Sequence, residues 1–251
     1  MVFVESTIRF RWCAFDAYGA PPGARADPTI ALFAGGGLES GEKITDRSER
    51  EIVDWLVRTP QARELILEEL RLPANTYAQT GVTDPLIEKI RWQPPGDIDL
   101  IFIPDPRRAI AVQVKRFPVI AETTYKDRTP GRLLGDITKL VEQANGSREI
   151  GFRENYALVL VECYGPERAE YNFISRGSSH GVFRRIYHMT KDQPIHGDVG
   201  LIFVEIAQPT RSSVDRAGIV AVSVDKPAIP LDQPPEITAR VRQLVAHKPS
   251  M

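Results

Sequence analysis

The stretch from Gly96 to Arg116 constrains this chain most. It reads as two apolar-alternating strands joined by a polar connection, with acids on one arm and an amide and an amine on the other. The first strand is expected over Asp97–Ile103 and the second over Ala109–Phe117, with Pro104, Asp105, Pro106, Arg107 and Arg108 as a five-residue connection. Alternation puts Asp97 and Asp99 on one face, and Gln113 and Lys115 on one face by the same rule. Ile98, Leu100 and Phe102 point the other way, as do Ile110, Val112 and Val114. A simple hairpin centred on Pro106 sets Asp99 opposite Gln113 and Asp97 opposite Lys115, unless a bulge shifts the register. Such a patch has the parts to hold a divalent cation and act on a phosphodiester. Carboxylate and amide oxygens suit Mg²⁺. A lysine orients an attacking water or neutralises charge on the phosphate.

These residues resemble a known family. The pattern Gly-x-x-Asp, thirteen residues, Gln-x-Lys, carried by Gly96, Asp99, Gln113 and Lys115, looks like the PD-(D/E)xK, or restriction-endonuclease-like, nuclease superfamily. The Gln-x-Lys form resembles the variant found in type IV restriction nucleases. The resemblance covers roughly residues 60–163. It implies a helix, three strands carrying the motif, a second helix and a fourth strand. It also implies catalytic Asp99, Gln113 and Lys115, with Mg²⁺ or Mn²⁺ held by Asp99, Gln113 and Asp97, the Val114 carbonyl helping. Asp97 pairing with Lys115 is the other reading of that acid. Relatives often place a glutamate on the first core helix, facing the metal as a further ligand. Glu69 is assigned that role, with Glu49, Glu64 and Glu68 as alternatives and a solvated helix charge as the plainer account of each. Gln143, on the helix after the lysine strand, is the candidate that supports the site from outside, or else a polar flank residue. Glutamine in place of the acid removes one negative charge, which lowers metal affinity and disfavours a two-metal site.

The remaining chain fits around that core. Thr45 or Asp46 caps a helix to about Val57, and Pro60 opens a second with Ala62, Leu65, Ile66 and Leu70 inward. Leu72-Pro-Ala-Asn stops it. Ile87–Trp92 reads as the first core strand, although Asp84–Lys89 reads equally as a short helix. Tyr125–Arg132 is a polar loop, and Leu133–Ala144 an amphipathic helix ended by Asn145-Gly146. Tyr156–Cys163 (YALVLVEC) is a continuous apolar run, as in a strand buried on both faces. Gly181–Met189 and Glu236–His247 read as helices, Gly200–Ala207 and Gly218–Val224 as strands, and Pro227–Pro235 as a linker. The expected fold is therefore α/β: a restriction-endonuclease-like mixed central sheet flanked by helices. One domain spans 1–251, with an N-terminal arm over 1–45, a catalytic core over 46–163, and a sheet extension with a C-terminal helix over 164–251.

Several function classes lose support. A net charge of −1 offers no global basic surface, so nucleic-acid contact requires a local patch. Residues 107–148 supply one: nine Lys/Arg against four acids, a difference of plus five. Gly41-Glu-Lys-Ile departs from the Gly-Lys-Ser/Thr of a phosphate loop. His180, His188 and His196 lack zinc spacing, and there is no Gly-x-Ser-x-Gly or internal repeat. Cys13 and Cys163 are too few for a disulfide framework, the N-terminus lacks a signal-peptide core, and the apolar runs are too short to span a bilayer. The expectation is a cytoplasmic metal-dependent nuclease acting on nucleic acid, with DNA preferred, no membrane partner, and a homodimer left open. A nuclease-like fold that binds nucleic acid or protein without chemistry is the alternative, and an accidental motif in an unrelated α/β protein the third.

Overall fold

The structure is a computed structural model, and it describes residues 11–16, 47–83, 97–120, 130–165, 181–209 and 217–246. One seven-stranded mixed sheet organises them. Its strands are β1 (Arg11–Asp16), β2 (Tyr77–Val82), β3 (Ile98–Asp105), β4 (Arg108–Ile120), β5 (Glu154–Gly165), β6 (Gly200–Pro209) and β7 (Ala217–Lys226). Their order across the sheet is β1-β7-β6-β5-β4-β3-β2. β4, β5 and β6 run parallel, and every other pairing is antiparallel. The helices are α1 (Glu49–Arg58), α2 (Pro60–Glu69), α3 (Pro130–Ile150), α4 (Gly181–Lys191) and α5 (Pro235–Ala246).

Strand β5 explains the centre. Tyr156, Leu158 and Leu160 enter one apolar cluster, and Ala157, Val159 and Val161 enter another on the opposite side. Its unbroken apolar run is what burial on both faces demands. The first cluster also takes Ile52, Val53, Trp55 and Leu56 of α1 and Ala62, Leu65, Ile66 and Leu67 of α2. The second is closed by Leu133, Ile137, Leu140 and Ala144 of α3 and Ile186 and Tyr187 of α4. A third, at the β2–β3 end, holds Ile101, Ile103, Ala109, Ala111, Ile150 and the α5 residues Ile237 and Val241. β6 and β7 extend the sheet from the central strand, as the apolar runs of the C-terminal third predict.

Local signals moved several boundaries. α1 is capped by Ser48, not Thr45 or Asp46. The Ser48 Oγ accepts from the Glu51 N–H at 3.3 Å, and the Glu51 carboxylate accepts from the Ser48 N–H at 2.6 Å. That reciprocal box satisfies two helix-end donors at once. α3 runs through Asn145-Gly146 and stops at Gly151, whose φ of +97° is the left-handed turn the earlier glycine does not make. The apolar repeat continues to Ile150, which is buried in the third cluster, and this packing carries the helix past the expected stop. β2 pairs with β3 as the described strand before the hairpin, and the expected strand Ile87–Trp92 and its alternative helix Asp84–Lys89 lie outside the described residues. The hairpin turn is tighter than expected: Asp105 pairs with Arg108, leaving Pro106 and Arg107 between the strands.

Candidate functional site

The β3–β4 hairpin keeps the expected register along its middle. Leu100 faces Val112, Ile101 faces Ala111 and Phe102 faces Ile110, and the register shifts only towards the turn. At the other end the ladder stops at Leu100–Val112, so the Asp99–Gln113 and Asp97–Lys115 pairings are not formed as ladder pairs. The next N–H outward on β4, that of Val114, donates to the Asp99 Oδ2 at 2.8 Å. A side-chain carboxylate thus sits where the two strands begin to part. Ile98 also leaves the face shared by Leu100 and Phe102 and enters the third cluster with Val82. Gly81, next to Val82 on the paired strand, has φ +57°, while the β2–β3 register runs unbroken past it from Thr80–Leu100 to Val82–Ile98.

Gln113 and Lys115 take their side-chain partners from different helices. The Gln113 side chain is fully buried, and its Nε2 donates to the Ser147 Oγ of α3 at 2.8 Å. Lys115 turns its amine to α1, where Nζ lies 3.7 Å from the Glu49 Oε2. The same Glu49 oxygen accepts the Arg116 N–H at 2.8 Å. α1 therefore supplies the acid, because its first turn lies over the parting strands while Ile52 and Val53 anchor it in the core.

The role given to Glu69 is corrected. It sits on α2 and pairs with Arg11 of β1, Oε1 to Nε at 3.2 Å, and Glu68 binds the same guanidinium at 2.7 Å. β1 is the far edge of the sheet from the β3–β4 hairpin, so the stripe that held Glu69 led to the wrong strand. Glu49, weighed as an alternative, is the helix acid near the hairpin. Gln143 contributes its main-chain carbonyl, which accepts from the Ser147 Oγ at 3.0 Å. Asp97 occupies the bend before β3.

Electrostatics concentrates on Asp99. Burial pushes its carboxyl up to about 6, the Val114 hydrogen bond opposes this, and the Glu49 and Asp97 charges add to the rise while Lys115 counters it. A carboxyl so placed gains from any cation that approaches it. Lys115 and Glu49 remain partly open, with side chains 24% and 31% exposed. Among the described residues no group of three or more His, Cys, Asp or Glu side chains is arranged to hold a metal ion. Gln113 falls outside that class of ligand, and its Oε1 is buried with no hydrogen-bond partner among the described residues. The amide oxygen and the Asp99 carboxylate are hard donors of the kind Mg²⁺ and Mn²⁺ prefer.

Two features escaped sequence reading. Arg116 is bonded through Nε to both oxygens of Glu162, at 2.8 and 2.6 Å, and the Glu162 side chain is 0% exposed. The signal was present, since a lone acid in the run YALVLVEC needs a cation. Ser147 carried no signal, because only packing brings it to Gln113. The basic excess over 107–148 is also largely answered from outside it: Arg108 pairs with Glu154, Lys115 with Glu49, Arg116 with Glu162 and Arg148 with Asp198. Arg107, Arg132 and Lys139 are left exposed. His188 is exposed on α4, while the His196 Nδ1 accepts the Asp198 N–H in a turn; His180 and most of the Tyr125–Arg132 loop lie outside the described residues. Among the described residues no helix is long and apolar enough to cross a membrane. No protein-family model matches the chain, and no curated protein matches it.

Proposed function

We propose that this chain is a restriction-endonuclease-like, metal-dependent phosphodiesterase acting on nucleic acid, with DNA the preferred polymer. The observation that carries the reading is the parting of β3 from β4 at Asp99, with the Asp99 carboxylate on the Val114 N–H and Lys115 following directly. The element order supports it: α2, the strands β2, β3 and β4, then α3 and β5, with β5 parallel to β4. That is a helix, three strands, a helix and a fourth strand, in the order the motif requires.

In this reading Asp99 and the Gln113 Oε1 hold one Mg²⁺ or Mn²⁺, with Asp97 close by. Such an ion would be held through few protein ligands. It supplies Lewis-acid polarisation of the phosphate and a more acidic bound water. Lys115 donates to the oxygen that attacks or to the phosphate oxygen that gains charge. Glu49 fixes the Lys115 amine and, through the Arg116 N–H, the strand that carries it. Glutamine at 113 keeps one negative charge out of the site, which favours a single ion.

Lys115→Ala tests this. Cleavage of duplex, single-stranded and branched DNA with Mg²⁺ or Mn²⁺ is expected to fall by about 10²-fold or more, with an unchanged far-UV spectrum. Equal cleavage by the two proteins rejects the assignment. A second reading, nucleic-acid binding without hydrolysis, has one observation in its favour: Glu49 and Lys115 already neutralise each other. It predicts DNA binding indifferent to EDTA and Mn²⁺ binding indifferent to Asp99→Ala.

A further inference from the structure

A carboxylate in the place of Gln113 would present an oxygen whichever way it turned. A carboxamide does not, because one of its two ends is an N–H₂ group that repels a cation. A site that uses glutamine therefore needs something to decide which end faces inward. The residues around Gln113 do this.

The Ser147 hydroxyl has one proton. It is spent on the Gln143 carbonyl one turn earlier in α3, at 3.0 Å. The Ser147 Oγ is then left with acceptor capacity only, and it receives the Gln113 Nε2 at 2.8 Å. Both side chains are buried, Gln113 at 0% and Ser147 at 1% exposure, so water does not scramble the arrangement. The nitrogen end of the amide is held on α3, which leaves the oxygen end outside that bond. That oxygen is buried and has no partner among the described residues. An acceptor left in that condition carries a cost that a bound ligand removes.

We propose that Ser147 is a positioning residue that fixes the orientation of the Gln113 carboxamide, presenting Oε1 rather than Nε2 to a divalent cation. The inference rests on the metal-dependent reading above and deepens it. Gln143 enters through its main chain, as the acceptor that forces the Ser147 hydroxyl to accept.

The test is a double-mutant cycle read by calorimetric Mn²⁺ titration, with no activity measurement needed. Ser147→Ala in the wild-type background is expected to weaken Mn²⁺ binding by about tenfold. In the Gln113→Glu background the same substitution is expected to change affinity less than about twofold, because a carboxylate needs no orienting. Equal affinities of the wild type and Ser147→Ala overturn the proposal. An equal loss in both backgrounds also overturns it, since Ser147 would then act through packing alone. If the wild type binds no Mn²⁺, the functional reading fails and this inference fails with it. Should Ser147→Ala not fold, nuclear Overhauser spectra of the labelled wild type decide: the Gln113 Nε2 protons are expected against the Ser147 β-protons, and their absence overturns the proposal.

Discussion

Single residues in this protein are set by what the sheet does to charge. Glu205 lies on β6 in the middle of the sheet, and burial pushes its carboxyl up to about 8. Its folded-state value is therefore above its unfolded one, and the folded chain holds a proton that the unfolded chain releases. The stability this contributes is full below about pH 4.5 and is lost as pH rises through about 8. Glu205→Gln removes the titration. Denaturant unfolding is expected to show the variant gaining on the wild type from about pH 5 to about pH 8 and then levelling, with a gain on the order of 2 kcal/mol or more. A pH-independent difference between the two proteins would show that Glu205 does not titrate in this window. Glu162 meets the same problem on β5 differently, by engaging Arg116 with both oxygens and so remaining a charge-assisted acceptor.

Elements end where backbone geometry, more than composition, requires. Asn145-Gly146 has the composition of a helix end, because glycine takes the left-handed cap without strain. Gly146 stays helical, and Gly151 makes the turn at φ +97°. A Cβ at Gly151 would stand 2.9 Å from the Pro234 Cδ, so the position is closed to side chains on two counts. Gly151→Ala is expected to lower unfolding free energy by about 1–3 kcal/mol, measured by urea titration. Gly146→Ala, with open space at its Cβ, is expected to stabilise or leave the protein unchanged. A reversal of that order would move the end of α3 back to Gly146.

Over the whole molecule, the C-terminal third holds the hairpin in place. Gln233 accepts the Ala109 N–H at 2.9 Å and donates to the Pro106 carbonyl at 2.8 Å, grasping both sides of the β3–β4 turn from far along the chain. It also donates to Thr238 at the start of α5, whose Ile237 and Val241 pack in the third cluster. Gln233→Ala leaves the Ala109 N–H buried without this acceptor, at an expected cost of about 1–3 kcal/mol. Hydrogen exchange is expected to quicken at Ala109 and along α5 together. Exchange that quickens at only one of them would show that the two are not coupled through Gln233.

Residue order alone dictates the alternation that makes β3 and β4, the apolar run that makes β5 a central strand, and the strand–helix–strand crossover between β4 and β5. These follow from periods and solvent preference within a few residues. It also put Asp99 and Lys115 on adjacent strands, since a short hairpin leaves little choice of register. What it did not decide is where side chains meet partners from other elements. Glu69 and Glu49 sit on similar amphipathic helices, and only the packing of α1 over the hairpin and α2 over β1 separates them. Ser147 and Gln113 are thirty-four positions apart, and their contact exists because α3 lies across β4 at one particular angle and depth. Local periodicity says which face of an element is buried. Which residue it is buried against depends on how elements dock, and that is a property of the folded whole.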